Sequence, residues 1–140
     1  VAMLKRQVGD ISLTTDVIVG FPGETEQDFA DTCKLVREVG FTKIHVFRYS
    51  RREGTPAASR TDQIPAETKE RRAHELSVLG DRLRIQYAQR HIGSHELVAV
   101  EQEGWGMTES YYKVRVDGFP QGALVDVCLT GVDDAAIMRA

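Results

Sequence analysis

Cysteine is scarce in this chain: 140 residues hold two, Cys33 and Cys128. They lie far apart, in segments patterned as helix and strand interior. That excludes a CxxC metal pair and a disulfide framework, and leaves both expected as buried small hydrophobes. Long apolar runs are missing too. Nothing approaches the ~20 apolar residues of a membrane span, and the opening Val1-Ala-Met-Leu-Lys-Arg6 is too short and too charged for a secretion signal. The cytoplasm is therefore the expected compartment, with no membrane partner. Neither GxGxxG nor a GK pair followed by Ser or Thr occurs, so Gly20-Phe-Pro-Gly23 lacks a phosphate-binding fingerprint, which argues against a nucleotide-binding α/β protein. No Ser/His/Asp arrangement and no pair of catalytic carboxylates can be argued, so no catalytic acid, base or nucleophile and no metal ligand is assigned. Internal repeats and low-complexity tracts are absent as well.

What remains is an ordinary globular composition, 41% hydrophobic and 28% charged, with a formal charge of −3 that is unevenly spread. Residues 1–40 hold four basic and seven acidic side chains, residues 41–90 eleven and six, and residues 91–140 three and eight. The middle is net +5 and the tail net −5. A basic middle between acidic flanks fits either an anionic partner or a solvated helix face rich in Arg and Glu.

Ser12 to Val19 reads as a strand whose Val17, Ile18 and Val19 have the β-branched density of parallel-sheet burial on both faces. Thr25 with Asp28 three residues on forms a capping box. Phe29, Cys33, Val36 and Val39 then recur at helical spacing until Gly40 ends the helix. Lys43 to Tyr49 is a second strand, and strand, helix and strand fit a right-handed βαβ unit. Ser50 to Ile64 reads as an exposed loop. Pro65 opens a long helix striped by Ala73, Leu76, Leu79, Leu83 and Tyr87, which reaches about Arg90. Beyond His91-Ile-Gly93 the pattern turns to short β-rich runs, Glu96 to Glu101, Ser110 to Val116 and Leu124 to Thr130. Glu103-Gly-Trp-Gly106 and Asp117-Gly-Phe-Pro-Gln-Gly122 read as the turns between them, giving a small antiparallel barrel or sandwich. The expected domains are residues 1–90 and 91–140. A two-stranded sheet with an open edge is expected to self-associate or be partly molten.

The two apolar runs both end in motifs, Asp16-Val-Ile-Val-Gly-Phe-Pro-Gly-Glu-Thr25 and His45-Val-Phe-Arg-Tyr-Ser-Arg-Arg-Glu-Gly-Thr-Pro-Ala57. Loops at the carboxyl ends of buried strands are where α/β proteins build small-molecule sites. Asp16, in an otherwise apolar strand, is read as a buried carboxylate needing a partner, either a polar contact in the sheet interior or a neighbouring Lys or Arg. His45 is read as a satisfied core imidazole. Arg48, Arg51 and Arg52 cluster at the exit of the second strand and could neutralise phosphates or form surface ion pairs with Glu53. In the β module, Trp105, Tyr111, Tyr112 and Phe119 offer stacking surfaces with Lys113 and Arg115 beside them, although one of the two consecutive tyrosines must face inward.

These motifs, together with Asp62-Gln-Ile-Pro65 and Arg72, occur in an order and spacing similar to the C-terminal portion of the radical S-adenosylmethionine tRNA methylthiotransferases. The resemblance covers nearly the whole chain. It implies an α/β part of a partial TIM-type radical SAM barrel, followed by a small all-β antiparallel, TRAM-like RNA-binding barrel. It implies S-adenosylmethionine as cofactor, with Asp16, Ile18, Gly20, Phe21, Phe47, Tyr49 and Ser50 on the cofactor side. Ile18 resembles the adenine-packing position, with ordinary core in a strand-to-helix turn as the alternative, whereas Phe47 and Tyr49 could equally border the adenine or fill the sheet face. It further implies the tRNA anticodon stem-loop as partner, contacted by Arg48, Arg51, Arg52, Trp105, Tyr111, Lys113 and Arg115. The implied reaction is methylthiolation of a hypermodified adenosine at position thirty-seven, with His45-Val-Phe before Tyr49-Ser50 resembling the threonylcarbamoyladenosine branch. The family's CxxxCxxC motif and the further N-terminal cysteines of its second cluster are missing, so the 4Fe–4S clusters belong to the intact parent only. The chain is therefore expected to need missing N-terminal domains and to be inactive alone. A stand-alone RNA-binding adaptor is the alternative, and the module's net −5 counts against a strong RNA grip.

Overall fold

The computed structural model describes residues 1–140. Its elements run α1 (Ala2–Val8), β1 (Thr14–Val19), α2 (Glu26–Val39), β2 (Lys43–Arg48), α3 (Pro56–Ser59), α4 (Ala66–Arg90), β3 (His95–Gln102), β4 (Trp105–Thr108), β5 (Lys113–Arg115), β6 (Leu124–Cys128), β7 (Gly131–Val132) and β8 (Met138–Arg139). Two compact units emerge, Leu13–Gly80 and Val1–Ser12 with Asp81–Ala140. The units part at Gly80/Asp81, and Tyr87 and Ala88 near the end of α4 belong to the β core. No helix is long and apolar enough to cross a membrane.

In the first unit β1 and β2 pair in parallel, with Ile18 opposite Phe47 and Val19 opposite Arg48. The intervening α2 begins on the expected capping box. Thr25 Oγ1 accepts from the Asp28 amide at 3.1 Å, and the Asp28 carboxylate accepts from the Thr25 amide at 2.8 Å. Such a cap is worth about 0.5–2 kcal/mol. Gly40, at φ 66°, closes the helix through its N–H to the Val36 carbonyl, a left-handed conformation that glycine adopts without a Cβ penalty. The core is Val19, Phe29, Cys33, Val36 and Leu76. Gly80 of α4 sits so close to Ile44 that an added Cβ would touch its side chain at 3.4 Å.

Only one face of this sheet is covered. Thr15, Val17, Val19, Ile44 and Val46 turn inward, whereas Thr14, Asp16, Ile18, Lys43, His45 and Phe47 are exposed. The readings of Asp16 as a buried carboxylate and of His45 as a core imidazole are thereby corrected. Strand alternation puts both on the exposed face of the sheet. The same alternation leaves Ile18 56% and Phe47 51% exposed. The loop after β2 also contains the short helix α3, capped by Thr55, which the Gly-Thr-Pro composition disguised.

The second unit is built on a six-stranded sheet ordered β6-β3-β4-β5-β8-β7. Val98, Val100, Val114, Val127 and Met138 alternate inward and meet Tyr87, Ala88, Tyr112, Val116 and Leu129. Tyr112 is 1% exposed and donates its hydroxyl to the Arg84 carbonyl at 3.1 Å, so the phenol enters the core with its polar end satisfied. His91, at the end of α4, sits 2.8 Å from both Glu96 and Asp10. The all-antiparallel barrel expectation needs two corrections. The β5–β8 pair is parallel, and β6 and β7 stand at opposite edges of the sheet with no ladder joining them. Trp105-Gly106, read as turn residues, open strand β4 instead. Glu109 and Ser110 form a turn followed by a bend at Tyr111, whose φ is 64°, so the run beginning at Ser110 pairs in the sheet only from Lys113. Cys128 is exposed because Val127 and Leu129 on either side take the inward positions.

Candidate functional site

The open sheet face and the chain leaving its carboxyl ends line a cavity of about 640 Å³, within the range of small-molecule sites. Its floor is the cross-strand pair Ile18 and Phe47. Phe21 and Tyr49 stand beside that floor with ring centroids 5.2 Å apart and planes at 68°, the edge-to-face geometry that the ring quadrupoles favour. Polar groups surround them: Asp16 on the strand, Ser50 and Thr55 on the second loop, and the guanidinium groups of Arg48 and Arg52. The Tyr49 hydroxyl is buried without a hydrogen-bond partner. Chemically this is a bed for a flat ring, with hydrogen-bonding and cationic groups within reach of a polar or anionic tail.

The first rim is a five-residue loop whose ends are tied to each other. The Gly20 amide donates to the Glu24 carboxylate at 2.7 Å. Glu24 is held in turn by Arg72 of α4, which donates to its Oε2 at 2.5 Å and its carbonyl at 3.1 Å, and to Glu26 Oε1 at 2.7 Å. The Arg72 side chain is 3% exposed, and its guanidinium lies 5.6 Å from the Phe29 ring centre. Hydrogen bonds from Arg72, and then from Arg71, hold the Glu26 carboxyl below its ordinary range. Asp28 is likewise lowered, first by the Thr25 backbone amide. The second rim is fixed by the Tyr49 amide donating to the Val19 carbonyl at 2.9 Å and by Lys69 Nζ donating to the Tyr49 carbonyl at 3.2 Å.

Six of the seven residues expected on the cofactor side, Asp16, Ile18, Phe21, Phe47, Tyr49 and Ser50, line this one cavity. Gly20 does not. It lies against the Lys69 stem, where its missing Cβ leaves room for that side chain. Arg48 and Arg52 share the cavity wall, while Arg51 is exposed and off it. Sequence reasoning missed Lys69 and passed over the clamp role of Arg72. A signal existed: Arg72 stands four residues before Leu76, on the apolar stripe of α4.

On the β unit, Trp105 and Arg115 face each other in register, with the guanidinium 4.9 Å from the indole centre. Lys113 follows two residues along the same strand face, and Arg139 pairs beside Arg115 in the parallel β5–β8 ladder. Trp105 and Lys113 line a cavity of about 310 Å³. Arg139 was not anticipated, since a two-residue strand at the chain end has no periodicity to read. Tyr111 is 75% exposed but lines a different cavity, with His95 and Ser110, so it does not join the Trp105 group. No three His, Cys, Asp or Glu side chains converge as a metal-ligand set.

No family model matches the chain. Curated relatives do. It is 40% identical over 124 residues to a threonylcarbamoyladenosine tRNA methylthiotransferase, MtaB, of Bacillus subtilis, an alignment covering 82% of this chain and 28% of that protein. It is 39% identical over 138 residues to the tRNA-2-methylthio-N(6)-dimethylallyladenosine synthase of Desulfitobacterium hafniense, covering 92% and 31%. A synthase of the same name from Bordetella pertussis is 41% identical over 139 residues, covering 93% and 31%. The chain thus spans about three-tenths of the length of the curated relatives it matches.

Proposed function

This chain is homologous to a carboxy-terminal portion of the tRNA methylthiotransferases, and from that premise we propose that its strand-end cavity supplies part of an S-adenosylmethionine pocket while its basic surfaces hold tRNA. In this reading the Leu13–Gly80 unit is a piece of a radical SAM half-barrel and the β unit is a TRAM-like domain. The intact parent adds a methylthio group to a hypermodified adenosine at position thirty-seven of the anticodon stem-loop. The observation that carries the proposal is the convergence of Asp16, Ile18, Phe21, Phe47, Tyr49 and Ser50 on one cavity. The group fits the residues present. Ile18 and Phe47 offer an apolar platform to adenine, the buried Tyr49 hydroxyl lacks a partner, and Arg48 and Arg52 carry the charge that a carboxylate tail seeks.

When bound next to a reduced cluster, S-adenosylmethionine supplies a carbon radical. The part played by this chain is binding, orientation and exclusion of water. Cys33 and Cys128 give no ligand set for an iron–sulfur cluster, so cluster ligands must come from other residues of the parent. Relatives carry names for two different nucleosides, threonylcarbamoyladenosine and dimethylallyladenosine. The His45-Val-Phe…Tyr49-Ser50 pattern favours the former for this chain.

Two titrations test the reading. S-adenosylhomocysteine added to the chain is expected to shift the NMR signals of Ile18, Phe47 and Tyr49, with Phe47→Ala weakening binding about tenfold or more. An anticodon stem-loop RNA is expected to bind with a salt dependence that becomes shallower by roughly one unit for each of Lys113, Arg115 or Arg139 changed to Gln. RNA binding without any response to S-adenosylhomocysteine would favour the adaptor function over the pocket.

A further inference from the structure

The two rims of the cavity are held from behind by one helix. Lys69 and Arg72 stand three residues apart on α4 and therefore on the same helix face. Lys69 touches both rims: its stem packs against Gly20 at the start of the first, and its Nζ donates to the Tyr49 carbonyl in the second. The same ammonium lies 5.2 Å from the centre of the Tyr49 ring. Arg72 takes the far end of the first rim, through the carbonyl and carboxylate of Glu24. Between these anchors stands Phe21, the residue that meets Tyr49 edge to face.

A loop such as this one needs external anchoring. Gly20 and Gly23 both sit at positive φ, 72° and 84°, where glycine is permissive and a short segment has alternative paths. A buried ion pair is a poor way to add net stability, because desolvating both charges offsets most of their attraction and an apolar replacement often does as well. What a buried guanidinium does deliver is direction, since its donors sit in a rigid fork. Arg72 uses that fork on two carboxylates and a carbonyl while its Nε stays buried without a partner. That is an incomplete set for a group serving stability alone.

We propose that Lys69 and Arg72 are positioning residues, a two-point brace on α4 that sets the Phe21–Tyr49 wall at the spacing an adenosine-bearing ligand requires. The ligand part of this statement rests on the pocket reading above; the wall part does not. Neither residue lines the cavity, so both act through Gly20, Glu24 and the Tyr49 backbone.

The test uses the full 140-residue chain and three variants, Lys69→Met, Lys69→Arg and Arg72→Lys. Each is read by the NOE between the Phe21 and Tyr49 ring protons, by the dissociation constant for S-adenosylhomocysteine, and by the melting midpoint. The brace predicts that Lys69→Met and Arg72→Lys weaken or lose the ring–ring NOE and raise the dissociation constant about tenfold while the chain still melts cooperatively. Lys69→Arg, which retains a donor toward the Tyr49 carbonyl, is expected to recover most of both signals. A lowered midpoint with NOE and affinity unchanged would overturn the proposal, since that is what a purely structural ion pair gives. Arg72→Lys can fail to fold; Lys69→Met, which keeps an unbranched stem against Gly20 but removes the ammonium that donates to the Tyr49 carbonyl, then decides the matter alone. If the unsubstituted chain ignores S-adenosylhomocysteine, the pocket reading fails, and NOE loss in Lys69→Met still upholds the brace while its persistence rejects it.

Discussion

Gly20→Ala isolates the contact on which the brace depends. Two penalties arise, and they can be separated. Gly20 lies at φ 72°, where an L side chain costs roughly 1–2 kcal/mol through its own backbone. A methyl there would also overlap Lys69 Cγ, with Cδ and Cβ at 3.1 and 3.2 Å, and overpacking of this kind costs about 1–3 kcal/mol. The sum is about 2–5 kcal/mol. Gly54 is the control: its φ is 81°, yet nothing lies within 4 Å of its added Cβ, so Gly54→Ala pays only the backbone penalty of about 1–2 kcal/mol. Gly20→Ala should therefore exceed Gly54→Ala by about 1–3 kcal/mol. In a double-mutant cycle, Lys69→Ala, which removes Cγ and Cδ and leaves only the tight Cβ contact, should recover most of that excess. Urea unfolding followed by far-ultraviolet circular dichroism measures the loss. Fluorescence of Trp105, the chain's single tryptophan and a residue of the β unit, shows whether the second transition stays in place. Equal losses for the two alanine variants, or strict additivity with Lys69→Ala, would refute the reasoning.

Three further outcomes are expected. Gly106→Ala should lower the urea midpoint reported by Trp105 fluorescence by an amount equivalent to about 1–3 kcal/mol, because the new Cβ would overlap Val98 Cγ1 and approach the Ala99 carbonyl at 2.7 Å. Burial pushes the Tyr112 phenol well above its ordinary 10.0, so its contribution is complete below pH 10 and is lost as pH climbs beyond it. Urea midpoints between pH 8 and 11 should fall less steeply in Tyr112→Phe, at the expense of about 1 kcal/mol for the lost hydrogen bond to Arg84. The α/β unit behaves oppositely. Glu26 is held low by Arg72 and then Arg71, and Asp28 by the Thr25 amide and hydroxyl, so their contributions are complete above the ordinary values of 4.5 and 3.8 and fade as pH falls through them. Circular dichroism melts from pH 6 to 3 should show Asp28→Asn flattening part of that fall.

Much of the α/β unit is legible because its signals are local. The Thr25–Asp28 box, the left-handed Gly40 and the apolar stripe of α4 each decide their structure within one or two turns of chain. The cavity was legible for a related reason. Two strands in parallel bring their carboxyl ends to the same side, and period-two alternation then sends Ile18 and Phe47 to one face. Where the reading failed, the deciding contact was distant. Gly-Trp-Gly has turn composition, yet Gly106 is a strand residue, since only glycine fits against Val98 and Ala99 across the ladder. The pairing of β5 with β8 joins residues more than twenty apart through two-residue contacts, which leave no periodic trace. Asp16 and His45 were misread because β-branched density implies cover on both faces, whereas α2 and α4 both pack on one.

That asymmetry of cover is what makes the site. A strand pair buried on both faces would have used Ile18 and Phe47 as core, and neither would be available to a ligand. Here their cross-strand contact leaves about half of each side chain facing the cavity. Exposed apolar surface of this kind stabilises whatever covers it, at about 25 cal/mol for each Å² removed from water. Two large side chains therefore supply part of an affinity but little selectivity, because any flat apolar group gains the same. Discrimination has to come from the rim, where Phe21, Tyr49 and the guanidinium groups of Arg48 and Arg52 set the shape and sign of what can approach. The floor is fixed by the hydrogen-bonded ladder between β1 and β2, which also includes Arg48, but Phe21 lies beyond it on a loop with two positive-φ glycines. On the brace proposed above, the precision of the site depends on Lys69 and Arg72, charged residues that hold the rims through Gly20, Glu24 and the Tyr49 backbone and do not line the cavity.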